Sequence, residues 1–318
     1  MAETKPQSEA DFAKIYRMRI RSVVIGFACA LLLTLWVPAE SKTRKVTLFF
    51  SGYVNGAFEP CGCPEGPTGG PARRSGFANS YASAHDDFIL NVDAGGYFAA
   101  AGPRAKEINE FMKRTIREIP LQVVNLIDSD SHLWTEIAAD ERLRDRFIST
   151  NLEPKSPGIL VPRRYAVIEV PGTGVRLGFL GLTDPRRVRP NSPFQALDPA
   201  EAIARIKDEV LQSADFLIVL ADLNSEAVAE IARQHSEVYA VLRVERRFRI
   251  EPPHQVGNAV LLSTVERGRY LGRLTFSLDP EGNVAAYEPE YIELSADISE
   301  NRELKVDSRT LSVQANRP

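Results

Sequence analysis

The sequence carries no strong charge of one sign, no internal repeat, no heptad series and no low-complexity block, and it has few cysteines and histidines. A net charge of −3 with acidic and basic residues interspersed removes the electrostatic footprint of a nucleic-acid partner. The lack of repeats argues against solenoids, propellers and coiled coils. There is no Cys-x-x-Cys-His, so covalent c-type haem attachment is not indicated. Only four histidines are present, and His85, His235 and His254 have the context of helix ends or a Pro-rich loop rather than of a metal centre; His132 alone follows carboxylates, Asp128 and Asp130.

What is present fits a globular chain: 318 residues, 44% hydrophobic and 25% charged, enough to bury a core in one large domain or two small ones. Lys14, Arg17, Arg19 and Arg21 precede an uncharged apolar run from Val23 to Ala39, the asymmetry of an export signal. Val37-Pro38-Ala39 is a mediocre cleavage site and the run is near the lower limit for spanning a bilayer, so a cleaved signal and a retained anchor both stay open. The sequence thus divides into a basic flank over 1–22, a signal peptide or signal-anchor helix over 23–39, a domain over 45–294 and a polar C-terminal tail over 295–318. The expected location is beyond the cytoplasmic membrane, periplasmic or otherwise extracytoplasmic, anchored or secreted. A membrane or envelope protein is the kind of partner this implies, with anchoring through 23–39.

After Lys45, short apolar runs alternate with amphipathic stretches, which predicts an α/β layered domain. Strands are predicted at Val46–Phe50, Phe88–Val92, Leu121–Leu126, Phe147–Thr150, Tyr165–Val170, Val175–Leu182, Phe216–Ala221, Val238–Leu242, Ala259–Thr264 and Tyr270–Ser277. Helical spacing covers Arg74–His85, Lys106–Ile119, Trp134–Phe147, Pro199–Ser213 and Ser225–Gln234. Gly172-Thr173-Gly174 and Asp279-Pro280-Glu281-Gly282 read as hairpin turns. From about Ser295 the polar sequence predicts a surface strand or a loosely held tail.

The first strand opens into a loop with Glu59-Pro60-Cys61-Gly62-Cys63, followed by Gly69-Gly70-Pro71-Ala72-Arg73 and, after the next strand, Asp93-Ala94-Gly95. In open α/β sheets, ligands gather at such carboxyl ends. The order of these elements resembles the 5′-nucleotidase branch of the calcineurin-like metallophosphatases. Val175–Thr183 is similar to that family's middle strand and Gly268–Leu274 to its closing strand. The resemblance implies an α/β fold in four layers, an α/β/β/α metallophosphatase-like sandwich of two mixed sheets.

It also implies two divalent metals about 3.5 to 4 Å apart that activate water and clamp a phosphoryl oxygen. Matched position by position, most ligands of such a centre are replaced here. The first Asp and His stand as Tyr53 and Asn55, the bridging Asp as Gly96, the histidine of the Gly-Asn-His motif as Ser129, and the last Gly-His-x-His as Val244-Glu245-Arg246-Arg247. Positive charge, ending at Arg247, thus falls where a cation would sit. The carboxylates that remain, Asp93, Asp128, Asp222 and Glu245, suffice for one hard cation through oxygen but not for a two-metal, histidine-rich centre.

Cys61 and Cys63 have three readings: a disulfide staple stiffening the loop, a strained pair for redox or thiol exchange, or half of a soft-metal site. The expectation is an exported metallophosphatase-like protein that does not hydrolyse, with a binding or redox role centred on Cys61-Gly62-Cys63. The competing expectation is a divalent-metal phosphoesterase of the 5′-nucleotidase kind.

Overall fold

A computed structural model describes residues 44–62, 66–247 and 249–315. The basic flank, the apolar run 23–39, Cys29 and Cys63 lie outside the described residues. Among those described, no helix is long and apolar enough to cross a membrane.

The chain begins with β1 (Arg44–Ser51), α1 (Pro71–Ala84), β2 (Phe88–Asp93), α2 (Ala105–Glu118) and β3 (Leu121–Asn125). It continues through α3 (Trp134–Ala139), α4 (Glu141–Arg144), β4 (Phe147–Ile148), β5 (Leu152–Pro154), β6 (Tyr165–Glu169), β7 (Arg176–Thr183) and β8 (Phe194–Ala196). Next come α5 (Pro199–Leu211), β9 (Phe216–Asp222), α6 (Ser225–Gln234), β10 (Val238–Arg243), β11 (His254–Val256) and β12 (Ala259–Ser263). The chain closes with β13 (Tyr270–Leu278), β14 (Val284–Glu293) and α7 (Arg302–Ala315).

Two six-stranded mixed sheets form, in the orders β14-β13-β1-β2-β3-β4 and β11-β12-β10-β9-β7-β6, and β5 pairs with β8 apart from them. In β1 the period of two sends Val46, Leu48 and Phe50 toward Phe179, Ile218 and Leu220 of the other sheet, while Phe49 packs with Ala78 and Tyr81 of α1. Phe111, Met112 and Ile116 of α2, with Trp134 and Ile137 of α3, join the cluster on the outer face of the first sheet. Ile203 and Ile206 of α5 and Val228 and Ile231 of α6 cover the second. Four layers result, as the sequence resemblance implies. Each fully buried aliphatic or aromatic side chain in these layers contributes about 1.5–3 kcal/mol against exposure.

Local chemistry explains where the elements begin and end. Asp198 caps α5 by accepting from Ala200 N and Glu201 N, with Pro199 at the first helical position. The single helix predicted over Trp134–Phe147 is broken instead: Asp140 takes extended backbone and its carboxylate accepts from Arg142 N and Leu143 N, starting α4 afresh. Both predicted turns close antiparallel hairpins, β6 with β7 and β13 with β14. The strand β14 escapes sequence reading because it lies at a sheet edge, largely exposed, with no apolar alternation.

The C-terminal stretch corrects the expectation of a surface strand or loose tail. It forms α7, whose Leu304 is fully buried in the cluster that holds α2, and Asn301 precedes it, bonding Ala72 O through its backbone N–H and Ser75 Oγ through its amide. Polarity misleads here because a few well-spaced apolar contacts suffice to dock a helix on a formed core. Gly76 in α1 permits the approach, since a Cβ there would collide with the carbonyl of Ser299.

Candidate functional site

The carboxyl ends of the parallel strands of both sheets are brought together by one side chain. Asn125 at the end of β3 places Nδ2 within 3.1 Å of Ala94 O, 3.2 Å of Leu182 O and 3.1 Å of Leu220 O, its two N–H donors shared among the three carbonyls, and so ties the loop after β2 to β7 and β9. Every candidate side chain outside the cysteine loop hangs from this edge.

On the first sheet, Ser51 and Asp93 are register partners at the ends of β1 and β2. The Ser51 hydroxyl donates to Asp93 Oδ2 and Gly95 N donates to Oδ1 at 2.9 Å. Arg74, from the start of α1, donates to Ser51 Oγ at 2.5 Å and stands 4.0 Å from the Asp93 carboxylate. All of these groups are buried. Burial raises Asp93 to about 6, against the opposing pull of Arg74 and Ser51. Asp130, also buried, accepts from Gly96 N (2.8 Å), Tyr97 N (3.2 Å) and Phe98 N (3.0 Å) and so pins the turn after Asp93. Burial raises it to about 7 despite those bonds.

Tyr53 and Asn55 occupy left-handed backbone, at φ 51° and 50°, a conformation uncommon for residues with side chains. Backbone bonds hold them there, Tyr53 N to Gly95 O at 2.7 Å and Asn55 N to Gly96 O at 2.8 Å. The Asn55 side chain is exposed. Gly96 itself has φ 76°, and a Cβ at that position would lie 2.9 Å from the Tyr53 ring. Where the resemblance calls for a bridging aspartate, the tyrosine ring fills the space.

On the second sheet, Asp222 ends β9 with its side chain buried. Arg187, in the turn after β7, donates through Nη1 to Asp222 Oδ1, and Arg246 donates through Nη2 to Oδ2 at 2.6 Å. The Arg246 guanidinium also lies 4.5 Å from the centre of the Tyr53 ring, a cation–π contact. Asp128 is held by Arg189, whose Nε donates to Oδ2 at 2.6 Å and whose Nη2 donates to the Asp128 carbonyl at 2.6 Å. Glu245 pairs with Arg243 at 3.0 Å and accepts from the backbone N–H groups of Arg246 and Arg247. Burial raises its pKa, but Arg243 and those N–H bonds outweigh it and hold it below the ordinary glutamate value. Arg247 is exposed. Asp128, Ser129, Arg187, Arg189, Asp222 and Arg246 line an open cleft of about 380 Å³.

The structure therefore brings Asp128, Ser129 and Asp222 to one cleft, encloses Asp93 beneath Arg74, and turns Glu245 onto its own loop. Each carboxylate proposed as a residual metal ligand already lies against a guanidinium. Among the described residues no group of three or more His, Cys, Asp and Glu is placed to hold a metal ion. With Tyr53 over Gly96 and guanidiniums on Asp222 and Asp128, these residues do not fit a two-metal centre. His132 Nδ1 is satisfied by Ser129 O at 2.8 Å.

Sequence reading passed over Arg187, Arg189, Arg74, Asp130 and Asn125. The run Asp184-Pro185-Arg186-Arg187-Val188-Arg189 directly after a strand was the available signal for the first two.

At the cysteine loop, Cys61 N donates to Thr68 O at 2.9 Å and its sulfur lies 3.3 Å from Thr68 Oγ1. The loop borders a second cleft of about 340 Å³ whose far wall includes Glu300, Lys305 and Arg309.

No family model and no curated protein matches the chain. Solved structures do. A 5′-nucleotidase precursor of Thermus thermophilus aligns over 85% of this chain and 59% of its own, at 20% identity and TM-score 0.72. The sulfate thiohydrolase SoxB of Thermus thermophilus aligns over 85% and 60%, at 15% identity and TM-score 0.71. The calcineurin-like phosphoesterase YfkN of Bacillus subtilis aligns over 86% and 98%, at 13% identity and TM-score 0.69. The chain thus spans about three-fifths of the length of the two Thermus proteins. Together with the two sheets and their layers, these likenesses give the chain the metallophosphatase fold of the calcineurin-like phosphoesterases and 5′-nucleotidases.

Proposed function

We propose that this is an exported metallophosphatase-fold protein that binds rather than hydrolyses, through the cleft at the sheet ends and the Cys61 loop. The observation that carries the reading is the double clamp of Arg187 and Arg246 on Asp222. A carboxylate whose two oxygens each accept from a guanidinium is poorly placed to ligate a divalent cation without breaking both pairs. Tyr53 against Gly96 supports the same reading. Export is supported by the basic flank and apolar run before residue 40, and an envelope or membrane protein is the kind of partner that location offers. The loop containing Cys61 and Cys63 serves as a staple or thiol-exchange element; a mass measurement before and after mild reduction tests the pair.

The test of the main reading is turnover. Purified full-length chain with Mn²⁺, Mg²⁺ or Zn²⁺ should release no phosphate from a panel of nucleotides and phosphomonoesters. Metal-dependent turnover that Asp93→Asn abolishes, in a variant shown to be folded, would establish the second reading, a divalent-metal phosphoesterase. The named activities of the YfkN and 5′-nucleotidase structures favour that alternative.

A further inference from the structure

We propose that α7 is a strap closed over the Cys61 loop, and that strap and loop open together as one local unit, so that a partner engaging the loop must lift the helix. The inference concerns the cover of the loop, and it stands whether the chain binds or hydrolyses at the sheet ends.

The first support is where the two segments touch. Ser312, near the end of α7, donates to Glu59 Oε1 at the start of the loop, a contact across 253 positions of sequence. Lys305, Ser308 and Arg309 of α7 line the same cleft of about 340 Å³ as Pro60, Cys61 and Gly62. Phe58 of the loop packs into the cluster that holds Leu304 and Leu311 of the helix, with its ring centre 6.4 Å from that of Phe111 in α2.

The second support is a shared brace. Arg73, in the first turn of α1 and 6% exposed, donates through Nη1 to Pro67 O at the exit of the loop and to Leu294 O (3.2 Å) just after β14. Its Nε lies 3.4 Å from the Glu300 carboxylate just before α7, and Lys305 of α7 holds that same carboxylate. Gly69 N donates to the Leu294 carbonyl as well, at 2.8 Å. Asn301 then starts the helix, its side-chain oxygen accepting from Glu303 N (3.0 Å) and Leu304 N (3.2 Å). One guanidinium is thereby set between loop, sheet end and strap.

The third support is the balance of stability. A helix of 14 residues is marginal alone in water, so α7 depends on its docking. Leu304 is fully buried and Leu311 partly, whereas Val306 is 62% exposed. Few apolar contacts mark a segment that opens well below the cost of global unfolding. Once undocked, the strap loses three grips together: on Glu59, on Arg73 through Glu300, and on Arg104, which donates to Leu311 O at 2.5 Å. Among the described loop residues, 58–62 and 66–70, none lies in a helix or strand, so contacts of this kind are what fix the loop. Coupling of this sort runs equally in both directions.

The test is amide hydrogen exchange on the full-length chain. Leu304→Ala should speed exchange of the Cys61 amide, which donates to Thr68 O, by about ten-fold, and Ser312→Ala by about three-fold. In return, Glu59→Ala should speed exchange at Leu311 and Ser312 by about three-fold. The amides of Ile218 and Leu220 in β9 report global unfolding and should keep their wild-type rates. Should Leu304→Ala quicken β9 as well, the milder pair Ser312→Ala and Glu59→Ala carries the test. A Cys61 amide unchanged in Ser312→Ala, or an α7 unchanged in Glu59→Ala, would overturn the proposal. Phosphate release by the purified chain would count against the binding reading and leave this result untouched.

Discussion

Asp93 and Asp222 hold equivalent places, each a carboxylate at the carboxyl end of a parallel strand, yet they live in opposite surroundings. Asp93 is enclosed with Ser51 and with Arg74, which is itself buried. Asp222 is equally enclosed, but its partners Arg187 and Arg246 reach solvent. The contrast teaches that one architectural edge can be partitioned: the first sheet's half has become part of the core, and the second sheet's half has stayed a surface that can meet a ligand. A buried ion pair resists loss of either partner, whereas a partly exposed one lets the survivor turn to water.

The largest expected effect follows from that difference. Asp93→Ala strands the buried Arg74 guanidinium and should destabilise the protein by about 4 kcal/mol in urea unfolding. A loss under about 1 kcal/mol would show that the first half is not closed at all.

A pH effect acts on the same half. Asp93 and Asp130 are raised by burial from 3.8 to about 6 and about 7, so between pH 4 and 7 the folded state holds more protons than the unfolded chain. Their contribution is present at low pH and is lost as pH rises through the folded values. Carboxylates held low, such as Asp184 and Glu245, act in the opposite sense only below their ordinary values of 3.8 and 4.5. Stability should therefore fall between pH 5.5 and 7 by on the order of 2 kcal/mol, and Asp130→Asn should flatten the slope. A rise over that interval would contradict the buried-acid account.

In the open half, Asp222→Ala should cost only about 1 kcal/mol, because both guanidiniums can hydrate. If the cost matches that of Asp93→Ala, the two halves are not different in kind. The smallest change concerns the cover of the closed half. Gly76→Ala gains about 1 kcal/mol of helix propensity but drives Ser299 away. Global stability should move by under about 1 kcal/mol while limited proteolysis near residues 295–301 quickens. Unchanged cleavage would show that the segment docks without that close approach.

Most of the fold was legible because its strands are buried on both faces and read as apolar runs, as in Phe216–Asp222, or are set off by turns such as Gly172-Thr173-Gly174. The break at Asp140, the edge strand β14 and α7 were not. Each depends on an interaction that a linear pattern does not display: a local cap, a sheet edge, a docking surface. The site divides in the same way. Missing ligands could be seen residue by residue, at Tyr53, Gly96 and Ser129, because substitution is visible in a motif. Arg187, Arg189 and Arg74 could not be assigned, since an arginine's partner is chosen by where its long side chain ends.

The sequence alone settled most of the alternation of strands and helices, the turn that pairs β6 with β7, the turn that follows β13, and which ligand types stand at the sheet ends, for these follow from periodicity, turn chemistry and residue identity. Only the tertiary structure decided that Asn125 ties the two sheet ends together, that Asp93 is sealed under Arg74 and that Asp222 shares two guanidiniums at an open rim. Those pairings join residues as far as 95 positions apart in the chain. Contacts of that kind are fixed by packing of the layers, and nothing local in the chain encodes them.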